Sequence, residues 1–583
     1  MDEKQVEIKK SEIFLRLLKY IKSYKKRVIA VIVMMMVASL ILVVLPLITE
    51  NIVDVQIKNG NSKGLYIATG LFVALGMIWA IIYIIRVRMM SRISNDVVLK
   101  VRDDMFAHLL TLGLYYFDSR PTGKILSRLI GDITSLKDML NQVVTIVVPN
   151  IFFLICIIFA MFTLNSILAC GVIISVPLLA ISSFLLMRHN YPIWYGYRQK
   201  QSNMTGFIHE SFSGIKVIQS FLAEDEVNKE FEKENKEIRS HWVRAVAAGD
   251  TMGIIISTSQ GLGYFFLYLF AIYILKINAA SIGELIAFST YIGLFWQPIR
   301  ALANMYNQLA NNLAGAGRVF EILDEKSTLL EADDPITLDK VDGKVDFEHV
   351  SFAYPDEPER LILEDISFSV RPGEKIALVG PTGAGKTTIV NLLCRFYDAV
   401  AGNIYIDGVD ISKLSLSSLK HNVAVMTQES YLFSGTIADN LKYGKEDVTD
   451  EEMHKACCLV GADEFIRSFK DGYLADIGQI GLSQGQKQLI TLARTLITDP
   501  KILILDEATS NIDTHTEMLV QKGIETLMSG RTSFVVAHRL STIRNADRIF
   551  VVNNKKIIED GSHDELIALN GEYAALYRAQ FKD

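Results

Sequence analysis

The sequence has few cysteines, and their positions match no spacing typical of a disulfide framework or a metal site. Five cysteines occur in 583 residues, at positions 156, 170, 394, 457 and 458. The first two lie in apolar runs, and the last two are adjacent in a stretch that is typical of a helix. The simplest interpretation is a set of free thiols in a reducing compartment.

An excess of basic residues is also absent, and so is a cleavable secretion signal. The formal net charge of −6 argues against a nucleic-acid-binding protein, so we expect no nucleic acid among the partners. The chain is charged and polar up to Val28, and the apolar run that follows is long enough to cross a bilayer. A secretion signal has a shorter apolar run than this one.

Long hydrophobic runs are what the sequence does have. Hydrophobic residues make up 50% of the chain and the mean hydropathy is +0.27, which is unusual for a soluble protein. A helix needs about 20 apolar residues to cross the hydrocarbon core of a bilayer. Each run alone could be a buried helix of a soluble protein, but several contain no charge, and the set favours six transmembrane spans. The runs are Val28–Ile48, Leu65–Ile85, Val143–Leu164, Ser166–Met187, Met252–Leu275 and Ile282–Ala303.

Lysine and arginine are concentrated on one side of these spans. They occur in the N-terminal arm, after the second span (Arg86, Arg88, Arg92) and after the fourth (Arg188, Arg198, Lys200). The loops on the other side are short and carry only Lys58, Lys63 and Lys276. Because positively charged loops stay in the cytoplasm, both chain termini are predicted to be cytoplasmic.

Two long polar loops lie on that cytoplasmic side, at Arg86–Gln142 and Arg188–Thr251. Their patterns at Asp96–Leu112 and Glu224–Val246 are typical of helices and predict that the spans continue beyond the membrane. Each loop also contains a break, one near Phe117–Gly123 and one near Glu210–Gln219, where a short transverse helix would fit. The residues alone fit ordinary turns and amphipathic helices equally well.

From Val345 onward the pattern changes to short apolar runs separated by helical stretches, which predicts an α/β domain. The expected strands are Val345–Val350, Leu363–Val370, Lys375–Val379, Ile404–Ile406, Val423–Met426, Ile502–Leu505, Ser533–Ala537 and Arg548–Val552. The predicted organisation is therefore a helical transmembrane domain at 1–314, a linker at 315–344 and the α/β domain at 345–583.

A phosphate-binding loop lies between one of these strands and a helix. Its residues are Gly380, Pro381, Thr382, Gly383, Ala384, Gly385, Lys386, Thr387 and Thr388. Glycines let successive backbone N–H groups turn toward phosphate oxygens, and the following helix adds the positive end of its dipole. In this motif the lysine reaches the β- and γ-phosphates and the threonine after it, here Thr387, holds Mg²⁺. The sequence therefore predicts a nucleotide site.

Two carboxylates, Asp506 and Glu507, end the apolar strand Ile502–Leu505. Hydrolysis of ATP needs a metal ion on the phosphates and a group that orients and deprotonates water. Asp506 suits the metal and Glu507 suits the general base. An Asp-Glu pair is common by itself, but downstream of a phosphate-binding loop and on an apolar strand it predicts an ATPase.

The stretch Leu482-Ser-Gln-Gly-Gln486 resembles the signature sequence of ATP-binding cassette (ABC) proteins. Residues 345–583 resemble the nucleotide-binding domain of that superfamily, and the whole chain resembles an exporter half-transporter. The implied fold is an α-helical transmembrane bundle of six spans with long cytoplasmic extensions, plus an α/β P-loop NTPase cassette. Gln484 stands where glycine is common, and glutamine also occurs there in working members.

Other residues match the family pattern one by one, and their roles are what the resemblance implies. Tyr354 would stack on adenine, Gln428 would contact Mg²⁺ and sense the membrane domain, and His538 would hold the γ-phosphate. Asp513 belongs to the D-loop. Ser483, Gln484, Gly485 and Gln486 would cap the ATP bound by a partner cassette. The segment Leu474–Gly481 is shorter than the family pattern, so the contact with the second internal loop does not carry over.

The resemblance implies an ATP-driven and Mg²⁺-dependent exporter of amphipathic drugs, lipids or peptides in the plasma (cell inner) membrane, in contact with membrane lipid. A single cassette must pair with a second half-transporter, either itself or a related chain with a degenerate site. A non-transporting, ATP-gated regulator is a further alternative. The substrate is not specified, but polar and aromatic residues in the spans are candidates for the substrate cavity, although helix packing explains such residues as often. They are Gln260, Tyr264, Trp296, Gln297 and Asn304.

Overall fold

The structure, a computed structural model, describes residues 10–273, 281–327, 329, 331–338, 340–427, 430–445, 447–506, 513–536 and 543–581. The chain divides into two compact units. The first unit comprises the chain up to Leu109 together with Gly123–Asp324, and we call it the helical unit. The second comprises Leu110–Thr122 and the chain from Glu325 onward, and we call it the cassette.

The helical unit contains no strand among its described residues. Its α-helices are α1 (Lys10–Lys22), α2 (Lys25–Asn51), α3 (Ser62–Leu109), α5 (Thr122–Ser127), α6 (Ile133–Gln142), α7 (Val148–Leu164), α8 (Ser166–Ile173), α9 (Ser175–Ser213), α10 (Ile215–Ser220), α11 (Glu224–Tyr273) and α12 (Ile282–Asp324). Short α4 (Leu114–Asp118) belongs to the cassette. Three π-helical turns, Ile52–Ile57, Arg128–Asp132 and Val143–Val147, join neighbouring α-helices.

The described residues of the predicted spans fall on helices, and the last two residues of the fifth span, at 274–275, lie outside the described residues. Four helical segments are long and apolar enough to cross a membrane, namely Lys25–Ile57, Ser62–Leu109, Thr122–Leu164 and Glu224–Tyr273. The fourth predicted span lies on α8 and α9, and the sixth lies on α12. The apolar runs form helices because helical hydrogen bonds satisfy every backbone polar group without help from solvent.

The prediction that polar helices continue the spans is confirmed. Helix α3 runs unbroken through Asp96–Leu109, and α11 begins at Glu224 and continues to Tyr273. The predicted breaks are also present as short helices, with α4 and α5 in the first loop and α10 in the second. The predicted linker begins inside α12, which continues to Asp324, so the boundaries at 314 and 344 stay a prediction.

The interior of the helical unit is built from α2, α7, α8, α11 and α12. Phe153, Phe288 and Trp296 belong to its apolar core. The buried hydroxyl of Tyr291 donates to the backbone oxygen of Val43 at 2.7 Å, which ties α12 to α2. An ionic contact ties α12 to the π-helical turn before α6, because Arg318 Nε donates to Asp132 at 2.7 Å.

The cassette has two sheets. A four-stranded antiparallel sheet has the order β2-β1-β4-β5, and a six-stranded sheet has the order β10-β9-β3-β8-β7-β6. Strands β9, β3, β8, β7 and β6 are parallel, and β10 is antiparallel to β9. The bounds are β1 (Val345–Phe352), β2 (Leu363–Val370), β3 (Lys375–Val379), β4 (Ala401–Ile406), β5 (Val409–Asp410), β6 (Val423–Met426), β7 (Ile502–Asp506), β8 (Thr532–Val536), β9 (Arg548–Asn553) and β10 (Lys556–Gly561).

Helices connect the parallel strands, as parallel pairing requires. The helices are α13 (Lys386–Leu393), α14 (Leu416–Asn422), α15 (Ile437–Lys442), α16 (Asp450–Val460), α17 (Asp463–Ser468), α18 (Gln484–Thr498), α19 (Thr514–Met528), α20 (His563–Leu569) and α21 (Glu572–Phe581). The side chains of β7 and β8 are buried almost throughout because one face of the parallel sheet packs against helices and the other packs against α13 and the four-stranded sheet.

Candidate functional site

The loop between β3 and α13 has the conformation that its glycines permit. Gly380, Gly383 and Gly385 have φ values of +151°, +83° and +105°, which side-chain-bearing residues rarely adopt. A Cβ atom on Gly380 would also collide with the backbone oxygen of Val552 on the neighbouring strand. The loop therefore curls tightly over the end of the sheet, and α13 begins directly after it at Lys386.

Lys386 points back into this loop. Its Nζ donates to the backbone oxygens of Gly380 at 2.7 Å and Pro381 at 3.0 Å. Burial lowers the pKa of Lys386, and the nearby carboxylate of Asp506 opposes that shift. A buried ammonium group whose hydrogen bonds to the described residues go to two carbonyl oxygens is well placed to bind a phosphate, which would supply the opposite charge.

The strands that precede the other predicted catalytic residues end at the same edge of the sheet. Strands β3, β8, β7 and β6 are parallel, so their carboxyl ends lie together. The backbone pairs Leu378 with Val536, and Val536 in turn pairs with Asp506. Ligands bind at this edge in open parallel sheets. Gln428, Glu507 and His538 follow β6, β7 and β8 by one or two positions, and all three lie outside the described residues.

A cavity of about 680 Å³ opens at this edge. The predicted residues that line it are Tyr354, Thr382, Gly383, Gly385, Lys386, Thr387, Thr388 and Asp506. Of the remaining loop residues, Pro381 accepts from Lys386, and half-buried Ala384 packs against the core of the cassette. The exposed hydroxyl of Thr387 and the carboxylate of Asp506 share the cavity, which fits the oxygen donors that Mg²⁺ prefers.

Tyr354 is held in place by aromatic neighbours. Its ring meets those of Phe352 and Tyr397 edge-on, with centroids 5.0 Å and 5.3 Å away. Its hydroxyl lies 3.3 Å from Thr388 Oγ1 at the start of α13. This packing leaves the ring half-buried at the cavity, where it offers a π-face to a base.

Sequence reasoning missed nine of the residues that line this cavity, including two on α4. Tyr115 and Asp118, both on α4, line the cavity together with Tyr397. The Tyr397 hydroxyl donates to Asp118 Oδ2 at 2.7 Å. Burial raises the pKa of Tyr397 and the hydrogen bond to Asp118 adds to the shift, so the phenol stays a donor. The predicted break in the first internal loop was the available signal, but no local pattern points from it to Tyr397.

The signature residues form the start of α18. Ser483 caps the helix, with its Oγ accepting from Gln486 N at 3.2 Å, and Gln486 Oε1 accepts from Ser483 N at 3.0 Å. Ser483 and Gln484 are exposed, whereas Gly485 is buried. All four signature residues are described, and none lines the cavity at Lys386.

Asp513 caps another helix, α19. Its Oδ1 accepts from Thr516 N at 3.0 Å, and hydrogen bonds from the backbone and side chain of Thr516 lower the pKa of this carboxyl. The side chain is exposed. The preceding D-loop residues 510–512 lie outside the described residues, so the structure places only the end of this loop.

The substrate-cavity candidates whose side chains are described differ in their contacts and exposure. Gln260 Oε1 accepts from Arg300 at 3.3 Å, and the Tyr264 hydroxyl donates to the backbone oxygen of Ser289 at 3.3 Å. Trp296 is 1% exposed, and its Nε1 has no partner among the described residues. Gln297 is exposed, and the side chain of Asn304 is outside the description.

A phosphate-binding cassette joined in one chain to a set of membrane-length helices defines an ATPase coupled to transmembrane transport. Two family models agree: one described as the ABC transporter transmembrane region matches residues 28–299, and one described as ABC transporter matches residues 363–510. An uncharacterized ABC transporter ATP-binding protein of Bacillus subtilis, YknV, is 38% identical, with 97% of this chain and 94% of that protein covered.

Two further comparisons extend this result. An ATP-dependent lipid A-core flippase of Syntrophus aciditrophicus is 33% identical, with 98% of this chain and 95% of that protein covered. The solved structure of a bacterial Atm1-family ABC exporter with ATP bound matches with a TM-score of 0.77 and 26% identity, covering 96% of this chain and 99% of that one. The chain belongs to the ABC transporter family and has the fold of an ABC exporter, and its cassette binds ATP.

Proposed function

We propose that this chain exports an amphipathic molecule across the plasma membrane, driven by ATP, as a dimer of two half-transporters with cytoplasmic termini. The observation that carries the proposal is the position of Ser483, exposed at the start of α18 and outside the cavity that contains Lys386. A serine and a helix N-terminus suit a phosphate. The nucleotide they serve is then the one bound by the partner.

The geometry of the cap supports this role. The Ser483 hydroxyl already accepts a hydrogen bond from Gln486 N, and a hydroxyl can donate its own proton at the same time. That proton is free to point outward to a γ-phosphate oxygen. Gly485 adds a backbone N–H at the first turn of the helix, where such groups have no intrahelical partner.

Within one cassette we propose the following roles for the individual residues. Lys386 and the backbone of the loop bind the phosphates, and Tyr354 stacks on adenine. Thr387, Asp506 and Gln428 would hold Mg²⁺, which neutralises phosphate charge when bound. Glu507 takes the proton of the attacking water, and His538 holds the γ-phosphate. The D-loop residue Asp513 contributes to the interface between cassettes.

The substrate class is inferred from a relative and from the surface of the membrane helices. The flippase relative acts on a lipid, and exposed apolar residues cover the membrane helices of this chain. We propose Gln260, Tyr264 and Gln297 as residues of the substrate cavity, and Asn304 on the same helix as Gln297. Trp296 packs in the core in this conformation, so its contact with substrate would require α12 to move.

The shared site is tested with mixed dimers carrying two different affinity tags. One pair combines Lys386→Met in one subunit with Ser483→Arg in the other, and the second pair places both changes in one subunit. If Ser483 serves the partner's nucleotide, the first pair keeps one intact site and measurable ATPase activity, and the second keeps none. The opposite result would show that Ser483 serves its own cassette.

Transport is tested with the purified chain in lipid vesicles. ATP should drive movement of a fluorescent phospholipid analogue or an amphipathic dye, and Glu507→Gln should stop it while ATP still binds. Movement that continues in Glu507→Gln would exclude the general-base role. ATPase activity of the chain alone indicates a homodimer, whereas activity that appears only with a second chain indicates a heterodimer.

A further inference from the structure

A cluster of metal-ligating side chains lies in the cassette away from the nucleotide cavity. It joins α16 to α17 and consists of His454, Cys458 and Asp463. One ligand atom from each of the three residues lies within 4.8 Å of the others. His454 and Cys458 are four positions apart, so they occupy one face of α16. Asp463 reaches them from the first turn of α17.

The distances suit tetrahedral coordination. Cys458 Sγ lies 3.6 Å from Nδ1 and 3.7 Å from Nε2 of His454. Zinc binds thiolate sulfur at about 2.3 Å and imidazole nitrogen at about 2.0–2.1 Å, so tetrahedral angles place these two atoms about 3.6 Å apart. The sulfur and the ring are therefore already separated as a metal would require.

The third side chain needs only a small shift. Asp463 Oδ1 lies 2.8 Å from His454 Nδ1, which is a hydrogen-bond distance. With metal bonds of about 2.0–2.2 Å, tetrahedral geometry separates such a pair by about 3.4 Å. Asp463 has 17% of its side chain exposed and His454 has 44%, so the site is partly shielded yet open to ions from solvent.

Arg467 occupies the position of a competing cation. Its Nη2 lies 3.1 Å from either ring nitrogen of His454, and its Nε lies 2.9 Å from Asp463 Oδ2. The Arg467 side chain is 60% exposed. Because the guanidinium is the exposed partner of this ion pair, it can swing into solvent, and the ion that enters replaces its charge.

We propose that His454, Cys458 and Asp463 form a Zn²⁺ site, with a water molecule as the fourth ligand. Thiolate, imidazole and carboxylate together suit Zn²⁺ better than Mg²⁺ or Ca²⁺, which prefer oxygen ligands. On binding, the Cys458 thiol releases its proton to solvent, and the thiolate and carboxylate balance the two charges of the ion. Arg467 leaves the site as the ion enters.

The site is coupled to the segment that precedes the signature. The Tyr473 hydroxyl donates to Asp463 Oδ1 at 2.7 Å, and Tyr473 lies in the 3₁₀ turn Gly472–Leu474. That turn leads directly to the residues before Ser483. A metal held by Asp463 would therefore fix α16, α17 and this turn together.

The test is a Co²⁺ titration of the full chain, purified with a tag that contains no histidine and freed of metal with a chelator. Co²⁺ reports on coordination because thiolate ligation gives a charge-transfer absorption band, and tetrahedral geometry gives intense visible bands. We expect both signals to saturate at one ion per chain and to disappear when one equivalent of Zn²⁺ is added. A chain that gives no saturable thiolate band would overturn the proposal.

Four variants sharpen the test. Cys458→Ser should remove the thiolate band, and His454→Gln should weaken Co²⁺ binding by at least about tenfold, the lower end of the effect known for outer-shell partners. Arg467→Gln should tighten binding several-fold because it removes the competing charge. Cys457→Ser is the matched control, since Cys457 is fully buried in the core of the cassette and is not one of the three ligands.

Each variant is first checked for a thermal midpoint equal to that of the unmodified chain. A thiolate band that persists in Cys458→Ser, or that is lost in Cys457→Ser, would overturn the assignment of the ligand. Unchanged affinity in Arg467→Gln would overturn the displacement step. The nucleotide site is unaffected by any of these changes, so ATP binding serves as an independent check on folding.

Discussion

Apolar side chains have opposite surroundings in the two units. In the cassette, Ile502, Leu503 and Ile504 of the central strand β7 are each 0% exposed. In the most apolar window of α3, 0% of the residues are buried inside the protein. The residue types are the same, since both stretches are rich in leucine and isoleucine.

This difference in burial identifies the medium around each unit, which is lipid for the membrane helices and water for the cassette. Burial in a protein core removes apolar surface from water and stabilises a fold by about 25 cal/mol per Å². Side chains that face lipid tails gain almost nothing by moving into a protein interior, because the two environments are equally apolar. Exposed apolar residues are thus a stable feature of the helical unit, whereas the cassette depends on burying them.

Polar side chains differ between the units in the same way. In the cassette they gather at one edge of a sheet and line a cavity, where they are available to a ligand. In the helical unit many satisfy one another or the backbone, as in the bond of 2.9 Å from Gln142 to Gln308. The side chains of the cassette cavity therefore indicate which ligand it binds, whereas the polar side chains of the helical unit do not indicate a substrate.

The largest expected effect is a loss of ATP hydrolysis that leaves the helical unit unchanged. Lys386→Met removes the ammonium group from the phosphate cavity, and loss of one such preorganised donor lowers kcat by about 10²–10³. ATPase activity in detergent should fall by that factor while the chain still inserts and folds. Lys375→Met, at the opposite end of the same strand, is the control and should retain activity. Equal losses in both variants would contradict the role given to Lys386.

The next effect concerns the shape of the loop. Gly380→Ala places a Cβ against the Val552 backbone oxygen, whereas a Cβ on Gly383 meets nothing within 4 Å. Backbone strain costs about 1–3 kcal/mol in either case, but only Gly380→Ala adds a collision that no rotamer relieves. We expect Gly380→Ala to abolish the ATP-induced rise in Tm and Gly383→Ala to keep part of it. A larger defect in Gly383→Ala would show that the loop has a different conformation.

Two lysine substitutions, one in each unit, test whether an exposed apolar residue faces lipid or water. Ile81 on α3 is 57% exposed and Leu569 at the end of α20 is 69% exposed. Ile81→Lys places a charge in lipid at a cost of about 2.5–3.5 kcal/mol, whereas Leu569→Lys meets water and stays within about 0.5 kcal/mol. The amount of folded protein in the membrane fraction should fall for the first and not for the second. If Ile81→Lys is neutral, this face of α3 is in water.

Much of the cassette is predictable because its signals are local. Strands β2, β3 and β6 have the predicted bounds, since β3 and β6 are largely apolar runs and apolar residues recur along β2. Strand β10 was missed because three of its six residues are charged, and β5 because it has only two residues. The π-helical turns were missed because side chains give them no distinct pattern.

The residues of the candidate site likewise differ in whether a local sequence pattern predicts them. The phosphate-binding loop is contiguous, so its residues can be read directly from the sequence, and the structure places six of the nine around one cavity. The bond between Tyr397 and Asp118 joins residues 279 positions apart, and no local pattern encodes such a pairing. The proposed zinc ligands were not predicted because the spacings between cysteines match no metal site. His454 and Cys458 instead pair a histidine with a cysteine. The spacing of four on a helix was the signal available.

The smallest expected effect comes from removing one methylene group from a side chain in the cassette core and one from a side chain that faces lipid. Ile504→Val in the cassette core should lower the free energy of unfolding by about 0.5–1.5 kcal/mol, the usual loss for this change at a buried site. Ile81→Val on α3 should leave stability unchanged, since lipid fills the space that a protein core cannot. Thermal midpoints in the same detergent measure both, with ATP bound to report on the cassette. A loss at Ile81 as large as that at Ile504 would mean that α3 packs against protein there, and in a dimer the protein in question would be the partner.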